Sequence, residues 1–445
     1  MKIVTSYSVR LRQVPTCLKG TLMKYREAVD WFIGMMEAEW NAFADCNNNQ
    51  MAVRVGEKLC IKTAKNGTPK YSFSDSFYKF PSYLRRAAIA EAFGLISSYH
   101  SSLDNWNDYP VSERKRRPSV PKAGFVYPAM YRDNCFVRTG TYTARIKVWT
   151  RNTWDWIEIS LRKCDVDYIL RRCSNRKECV PTLRQRGKVW SLDFSFEERV
   201  TLTDSNNIDS QRILSVDLGL NSACVCSVMT SDGTVVGRRF LHLPSEYDHL
   251  RHCIGHIKHA QQSGARRMPG LWAKARGLND DISVKTARFI VDMAMLYGVD
   301  TIVMEALDLN GKKRGSQKQR LALWRARYVQ SMVLVKAHRA GIRVSRVCAW
   351  NTSRLAFDGS GRVLRGREAE KAGKNYSLCE FPSGKVYNCD LNASYNIGAR
   401  YYIREILRNQ SERTRLALTA KVPSLAKRST CTLSDLKDLR AAMVA

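Results

Sequence analysis

The chain has 445 residues, and its 73 Lys+Arg against 41 Asp+Glu give a formal net charge of +32 at pH 7. A hydrophobic fraction of 44% excludes a disordered polymer, and no apolar run reaches the roughly 18 residues that a bilayer-spanning helix needs. So much positive charge opposes compaction unless polyanions are near, which makes nucleic acid the leading partner. A ribosomal protein is usually much shorter, and no long basic amphipathic helix points to a membrane surface. The start, MKIVTSYSVRLRQ, lacks the apolar middle of a signal peptide, so the expected location is the cytoplasm. The 14 cysteines are then expected to be reduced, most of them packing residues.

Residues 1–12 alternate apolar and polar and predict a strand. Residues 20–46 and 81–103 predict helices, the second opened by Pro81 and carrying Leu84, Ala88, Ala92, Leu95 and Ile96 at helical spacing. The polar stretch between them, CNNNQ and then KTAKNGTPKYS, reads as a loop or small insertion. The basic run SERKRRPSVPK at 112–122 ends in prolines. From there to about residue 200, aromatic and β-branched residues predict an all-β region. The turn-rich TLTDSNNIDSQR at 201–212 reads as a linker.

Beyond it, RILSVDLG, ACVCSVM and TVVGRRFL predict three short strands. Helices are expected at about 245–276 and 281–297, then the strand TIVMEAL, a helix at about 320–340 and the strand IRVSRV. Residues 350–388 read as irregular, and LNASYNIGARYYIREIL as a last helix. Three strands followed by alternating helices and strands is the α/β pattern of an RNase H-like sheet. The predicted fold class is therefore α+β and multidomain.

Three acids stand out by position. Asp217 ends the apolar strand Ile213–Val216, Glu305 ends Ile302–Met304, and Asp390 precedes the last helix. A carboxylate on a core strand costs several kcal/mol unless it is paired or metal-bound. Three that converge suit two Mg²⁺ ions about 3.5–4 Å apart, which take hard oxygen ligands and serve phosphodiester hydrolysis. A single acid at a strand end is usually a cap or salt bridge; the order strand-Asp, strand-Glu, pre-helix Asp in a basic chain is the distinguishing feature. Asp300 and Asp308 flank the middle strand and compete with Glu305; Asp300 lies at its entry end and Asp308 past it.

SVDLGLNSACVCSV, IVMEAL and CDLNASYNIGARY resemble the three split RuvC motifs of the TnpB proteins of insertion sequences and of the compact type V CRISPR effectors related to them. WNTSRLAFDGSG, at 350–361, resembles the threonine–serine segment before the last motif. The resemblance covers about 212–407 by motif and 1–205 by layout. It implies an RNA-guided DNA endonuclease, with Asp217, Glu305 and Asp390 binding two Mg²⁺. Its partners would be a guide RNA and double-stranded target DNA, with no membrane and a monomer as the simpler state, on the nucleoid of a prokaryote. It also implies a layout: a β-barrel-like wedge domain at 1–15 and 104–205, a helical recognition insertion at 16–103, a RuvC-like nuclease at 206–347 and 389–445, and a target-nucleic-acid-binding loop at 348–388. A heteroduplex held through its backbone in a positive channel accounts for the charge. The alternatives are a nuclease-inactive RNA-guided DNA-binding regulator and an RNA-independent RuvC-like resolvase or transposase.

Many relatives carry two C-x-x-C knuckles before the third motif, whereas this chain has only Cys348, Cys379 and Cys389 there, without paired spacing. Structural zinc needs four ligands, so none is expected. FPSGK reads as a tight turn, Cys389 as a buried neighbour of Asp390, and Trp350, Phe357, Tyr376, Phe381 and Tyr387 are expected to hold the loop by packing. Arg114, Lys115, Arg116 and Arg117 are candidate nucleic-acid contacts. So are Lys312, Lys313 and Arg314, in a segment that the resemblance makes a lid over the catalytic groove. His249, His252, His256 and His259 fall on one helix stripe and read as a polar face rather than a metal site.

Overall fold

A computed structural model of the chain describes residues 1–62, 67–114, 116–204, 207–219, 222–307, 324–365, 368–369 and 377–444. They form two compact units, Lys2–Glu198 and Arg199–Ala445 with Met1.

In the N-terminal unit, strand β1 (Lys2–Arg10) is followed by helices α1 (Cys17–Ala38), α2 (Asn49–Cys60) and α3 (Ser82–Asp108). Strands β2 (Phe136–Arg138), β3 (Thr143–Thr150) and β4 (Thr153–Ser160) come next, then helix α4 (Lys163–Cys173) and strands β5 (Lys177–Glu178), β6 (Thr182–Arg186) and β7 (Val189–Arg199). One sheet runs β1-β7-β5 with β6 on β7, and the other runs β2-β3-β4. A bridge at Leu11–Leu161 joins the ends of β1 and β4, and one at Ala129–Thr182 adds the segment before β2 to β6.

The helices share the core of these strands. Leu18, Leu22, Tyr25, Val29, Phe32 and Met36 form a buried stripe on α1. The Trp149 amide donates to Thr21 Oγ1 at 2.9 Å, and Phe80 meets Trp154 edge-on with centroids 5.0 Å apart. Two of this unit's longer helices escape the sequence reading, and in the other unit two more, Glu412–Lys421 and Leu433–Val444, follow the one expected to be last. The asparagines before α2 mark a helix start rather than a loop, because Asn48 Oδ1 accepts the Met51 amide at 2.9 Å and caps it. Helix α4 lies inside the region expected to be all-β; it buries only Val166, Ile169 and Cys173, too short a stripe to stand out among its charges.

The C-terminal unit is built on strands β8 (Arg212–Asp217), β9 (Cys224–Thr230), β10 (Val235–Leu241), β11 (Thr301–Ala306) and β12 (Arg343–Cys348), ordered β10-β9-β8-β11-β12. β8, β11 and β12 are parallel; β9 and β10 are antiparallel, with a bulge between Val235 and Gly237. The helices are α5 (Pro244–Gln262), α6 (Pro269–Leu296), α7 (Ala326–Arg339), α8 (Cys389–Arg408), α9 (Glu412–Lys421) and α10 (Leu433–Val444). The break between α5 and α6 falls earlier than the sequence predicts, at Gly264 with φ +84°, and Pro269 restarts the helix. The four histidines of α5 are exposed, opposite buried Leu250, Cys253 and Ile257.

Strand alternation gives this sheet two faces. Leu214, Val216, Ile302 and Met304 pack with Ile290 of α6 and Val333 of α7. Ile213, Val225, Met229 and Val303 pack with α8 and α10. Helix α8 presses on that second face at Gly398, where an added Cβ would meet Met229 Sδ at 3.1 Å and Ser215 Cβ at 3.3 Å. Residues 350–388, expected to be irregular, contain a small sheet of β13 (Leu364–Arg365), β14 (Leu378–Glu380) and β15 (Val386–Asn388), its hairpin turn made by the FPSGK segment with Gly384 at φ +81°. Gly398→Val is expected to destabilise the protein by about 1–3 kcal/mol through overpacking. A thermal melt would read this as roughly 2–4 °C per kcal/mol; an unchanged midpoint would show that helix and sheet do not press together there.

Candidate active site

The face that α8 covers also carries the acids. Met304 pairs with Val216 across the parallel ladder, so Glu305 and Asp217 follow at the same level on neighbouring strands. Both sit two residues beyond members of the α8-facing set, Val303 and Ser215, and so point to the same side. Asp390 enters from that side, in the first turn of α8 rather than ahead of it. Asn388 Oδ1 caps this turn by accepting the amides of Asp390 and Leu391, each at 3.0 Å. The positive end of the helix favours the Asp390 carboxylate.

The three groups feel one another. Burial, then Glu305, then Asp390 push Asp217 well above the ordinary carboxylate range, and Arg365 pulls it back in part. Glu305 is raised by burial against a hydrogen bond from Thr352 and the charge of Arg400. Asp390 is raised by burial against Arg365 and His242. Clustered acids with raised affinity for protons are short of positive charge. Their hard oxygens fit Mg²⁺. In the protein alone, no three His, Cys, Asp or Glu side chains among the described residues are drawn into one metal-binding shell.

The surrounding residues hold the acids by a polar scaffold. The Thr352 hydroxyl donates to Glu305 Oε1, and Gln330 Nε2 donates to the Glu305 carbonyl at 2.7 Å. Every residue of α8 from Leu391 to Ile403 is buried, and its polar side chains serve the chain after β12. Asn392 Nδ2 donates to Leu355 O, and Asn396 Nδ2 to Thr352 O and Leu355 O, at 2.8–2.9 Å. Arg400 Nη1 donates to Cys348 O at 2.9 Å and Trp350 O at 2.7 Å. The sequence reading did not assign these roles. Asn392, Asn396 and Arg400 follow a strict four-residue spacing inside an apolar helix, a signal that could have found them. Arg365 gave no signal, being one arginine among several in a stretch read as irregular.

Other expectations divide. Asp300 lies at the entry end of β11, where its Oδ2 accepts the Arg212 amide at 2.9 Å, so it is remote from the trio as expected. Phe357, Phe381 and Tyr387 pack with Cys379 and Cys389. Trp350 does not: it is 62% exposed, because Arg400 and buried Thr352 hold only the backbone around it. Arg114 donates to Tyr109 O and Asn107 O at 2.9 and 2.6 Å and lies over Trp106, while Arg116 and Arg117 are exposed. Lys115, Asp308, Lys312, Lys313, Arg314 and Tyr376 lie outside the described residues. Among the described residues no helix is long and apolar enough to cross a membrane.

A carboxyl whose folded pKa is raised stabilises the fold below its unfolded pKa, and that contribution is lost as pH rises through the folded value. At neutral pH without divalent ions the trio therefore opposes folding. Asp217→Asn is expected to melt higher than the wild type in EDTA at pH 7, and the wild type to gain stability as the pH falls toward 6. A lower melting point for the variant in EDTA would refute the clustering.

The Aq_aa04 family matches residues 5–150. An uncharacterized protein, aq_aa04, of Aquifex aeolicus (strain VF5) is 31% identical over 80 residues, 18% of this chain and 44% of that protein, so the chain spans less than half of this curated relative. Among solved structures, Cas12f1 in a complex with sgRNA and target DNA superposes with a TM-score of 0.52 at 13% identity, covering 89% of this chain and 98% of that one. AacC2c1 in a ternary complex with sgRNA and extended non-target DNA aligns over 86% of this chain and 64% of that one, at 11% identity and a TM-score of 0.43. The chain has the fold of a compact type V CRISPR effector of the TnpB-like kind, with an RNase H-like sheet that carries Asp217 and Glu305 at the ends of two neighbouring inner strands and Asp390 on the helix that covers it.

Proposed function

We propose that this protein is an RNA-guided DNA endonuclease. A guide RNA pairs with one strand of a duplex beside a short flanking motif, and one RuvC-like centre hydrolyses phosphodiesters in the DNA. The observation that carries this reading is the placement of Asp217 and Glu305 at one level on neighbouring strands, with Asp390 in the first turn of the helix that covers that face, where Glu305 and Asp390 both push Asp217 up. The fold shared with Cas12f1, a protein seen with sgRNA and target DNA, and the net charge of +32 support the choice of partners.

Asp217, Glu305 and Asp390 would hold two Mg²⁺ ions, which when bound supply an activated water and stabilise the leaving oxygen. The chain's own residues set the geometry. Asp217 and Glu305 stand on neighbouring strands and cannot drift apart without breaking the ladder. Thr352 restricts the rotamer of Glu305 by donating to Oε1. Arg365 adds a positive charge beside Asp217 and Asp390, a suitable neighbour for a phosphate.

The test uses the chain purified with the RNA that accompanies it from its native locus. Asp217→Ala is expected to bind guide and target as the wild type does but to lose more than about a hundredfold in cleavage, since outer-shell changes alone cost about 10- to 100-fold. Cutting at the wild-type rate would reject Asp217 as a ligand, and RNA-free protein that cuts branched DNA would reject the guide. Thr352→Ala is expected to lose about 10- to 100-fold and to need more Mg²⁺, whereas Thr352→Ser keeps the hydroxyl and most of the rate. Equal losses in both variants would show that packing, not the hydrogen bond, matters there.

A further inference from the structure

The indole of Trp350 is mounted rather than merely exposed. It follows β12 by two residues, at the edge of the sheet where Glu305 pairs with Val347. Its carbonyl accepts from Arg400 Nη1 at 2.7 Å. The next residue, Asn351, has φ +58°, a left-handed conformation that asparagine tolerates better than most side chains and that turns the chain sharply here. The Asn351 carbonyl accepts the amides of Arg354 and Leu355, each at 3.1 Å. Thr352, 2% exposed, is held through its carbonyl by Asn396 and reaches Glu305 with its hydroxyl. The backbone is thus fixed on both sides of a side chain that is 62% exposed.

We infer that Trp350 is a stacking platform for a nucleobase of the DNA strand being cut. This rests on the nuclease reading above. Two residues span at most about 7 Å between α-carbons, so the indole stays close to the residue that holds Glu305. A single strand whose phosphate lies at the carboxylates carries its unpaired bases past this edge, so that a base one to three nucleotides away comes within reach of the ring. An aromatic face takes any base, because every base has a π-face, so the platform positions the strand without reading its sequence. The acids repel the very backbone they must approach, and an uncharged stacking contact beside them holds the strand without adding a cation that would compete for the same carboxylates.

The test uses the full chain with its copurified RNA. Guide-matched DNA carries 2-aminopurine at successive positions around the cut, in an Asp217→Ala background so that the strand persists. Stacking quenches this base, so one or two adjacent positions are expected to be dark. Trp350→Ala should restore their fluorescence and Trp350→Phe should keep most of the quenching. In the cleaving protein, Trp350→Ala is expected to raise KM for DNA about 5- to 150-fold with a smaller change in kcat, and Trp350→Phe to recover most of it. The melting temperature should not move, since the side chain is outside the core. Unchanged quenching and KM in Trp350→Ala would overturn the assignment, as would a melting point lowered by several degrees, which would make the indole structural, or wild-type dimers that Trp350→Ala dissolves. If the wild type cuts no DNA, the nuclease reading fails separately, and the 2-aminopurine signal still decides whether Trp350 stacks.

Discussion

A helix buried on every side must satisfy its polar side chains internally, and α8 carries four such residues in its buried stretch: Asn392, Ser394, Asn396 and Arg400. Buried polar groups without partners cost about 1–3 kcal/mol each. Ser394 meets Ser227 Oγ of the sheet at 2.6 Å, and the other three reach into the chain after β12. The loop from Cys348 to Phe357 is therefore shaped as much by α8 as by its own residues. The same helix presents Asp390 at its start and is pinned at its far end, where the Tyr402 hydroxyl donates to Gln211 O and Met229 O at 2.8 and 2.9 Å. One element thus sets the position of a carboxylate, of the threonine that orients a second carboxylate, and of the sheet face that bears the other two.

The charge pattern of the C-terminal unit follows from that placement. A chain with an excess of cations nevertheless buries three carboxylates beside one another. Arg365 and Arg400 stand nearby, but Arg400 is committed to backbone carbonyls and Arg365 comes from the small sheet that follows the loop. Neither forms an ion pair with the trio among the described residues that would neutralise it outright. A site left this way is poised to take up positive charge, and its preference for hard oxygen ligation comes from the donors themselves.

The three acids were legible because strand ends and a helix start are positions where an acid in an apolar setting is conspicuous. The core strands were legible too, since their short apolar runs separate Ile213–Val216 and Ile302–Met304 from the helices around them, whereas the order of strands in the sheet was not read. What could not be read was contact made across the fold. Nothing local says that Thr352 touches Glu305, or that the ring of Trp350 stays outside while Phe357 and Tyr387 turn in. Helix α2 was hidden because asparagines serve caps and turns alike, and β13–β15 because strands of two or three residues have no period to detect.

Strand β10 closes one side of the five-stranded sheet, and it is an edge that resists extension. The bulge before Gly237 breaks the spacing of its hydrogen bonds, and Arg238 and Arg239 follow at once. A second strand laid alongside would have to match an irregular ladder and crowd two arginines. The other edge, β12, carries Arg343 and Arg346 and is tied down by Arg404, whose Nη1 donates to Arg346 O at 2.7 Å. A protein with so many short, apolar strands is exposed to sheet-to-sheet polymerisation while it folds, and these arginines give its central sheet protection against that fate at both borders.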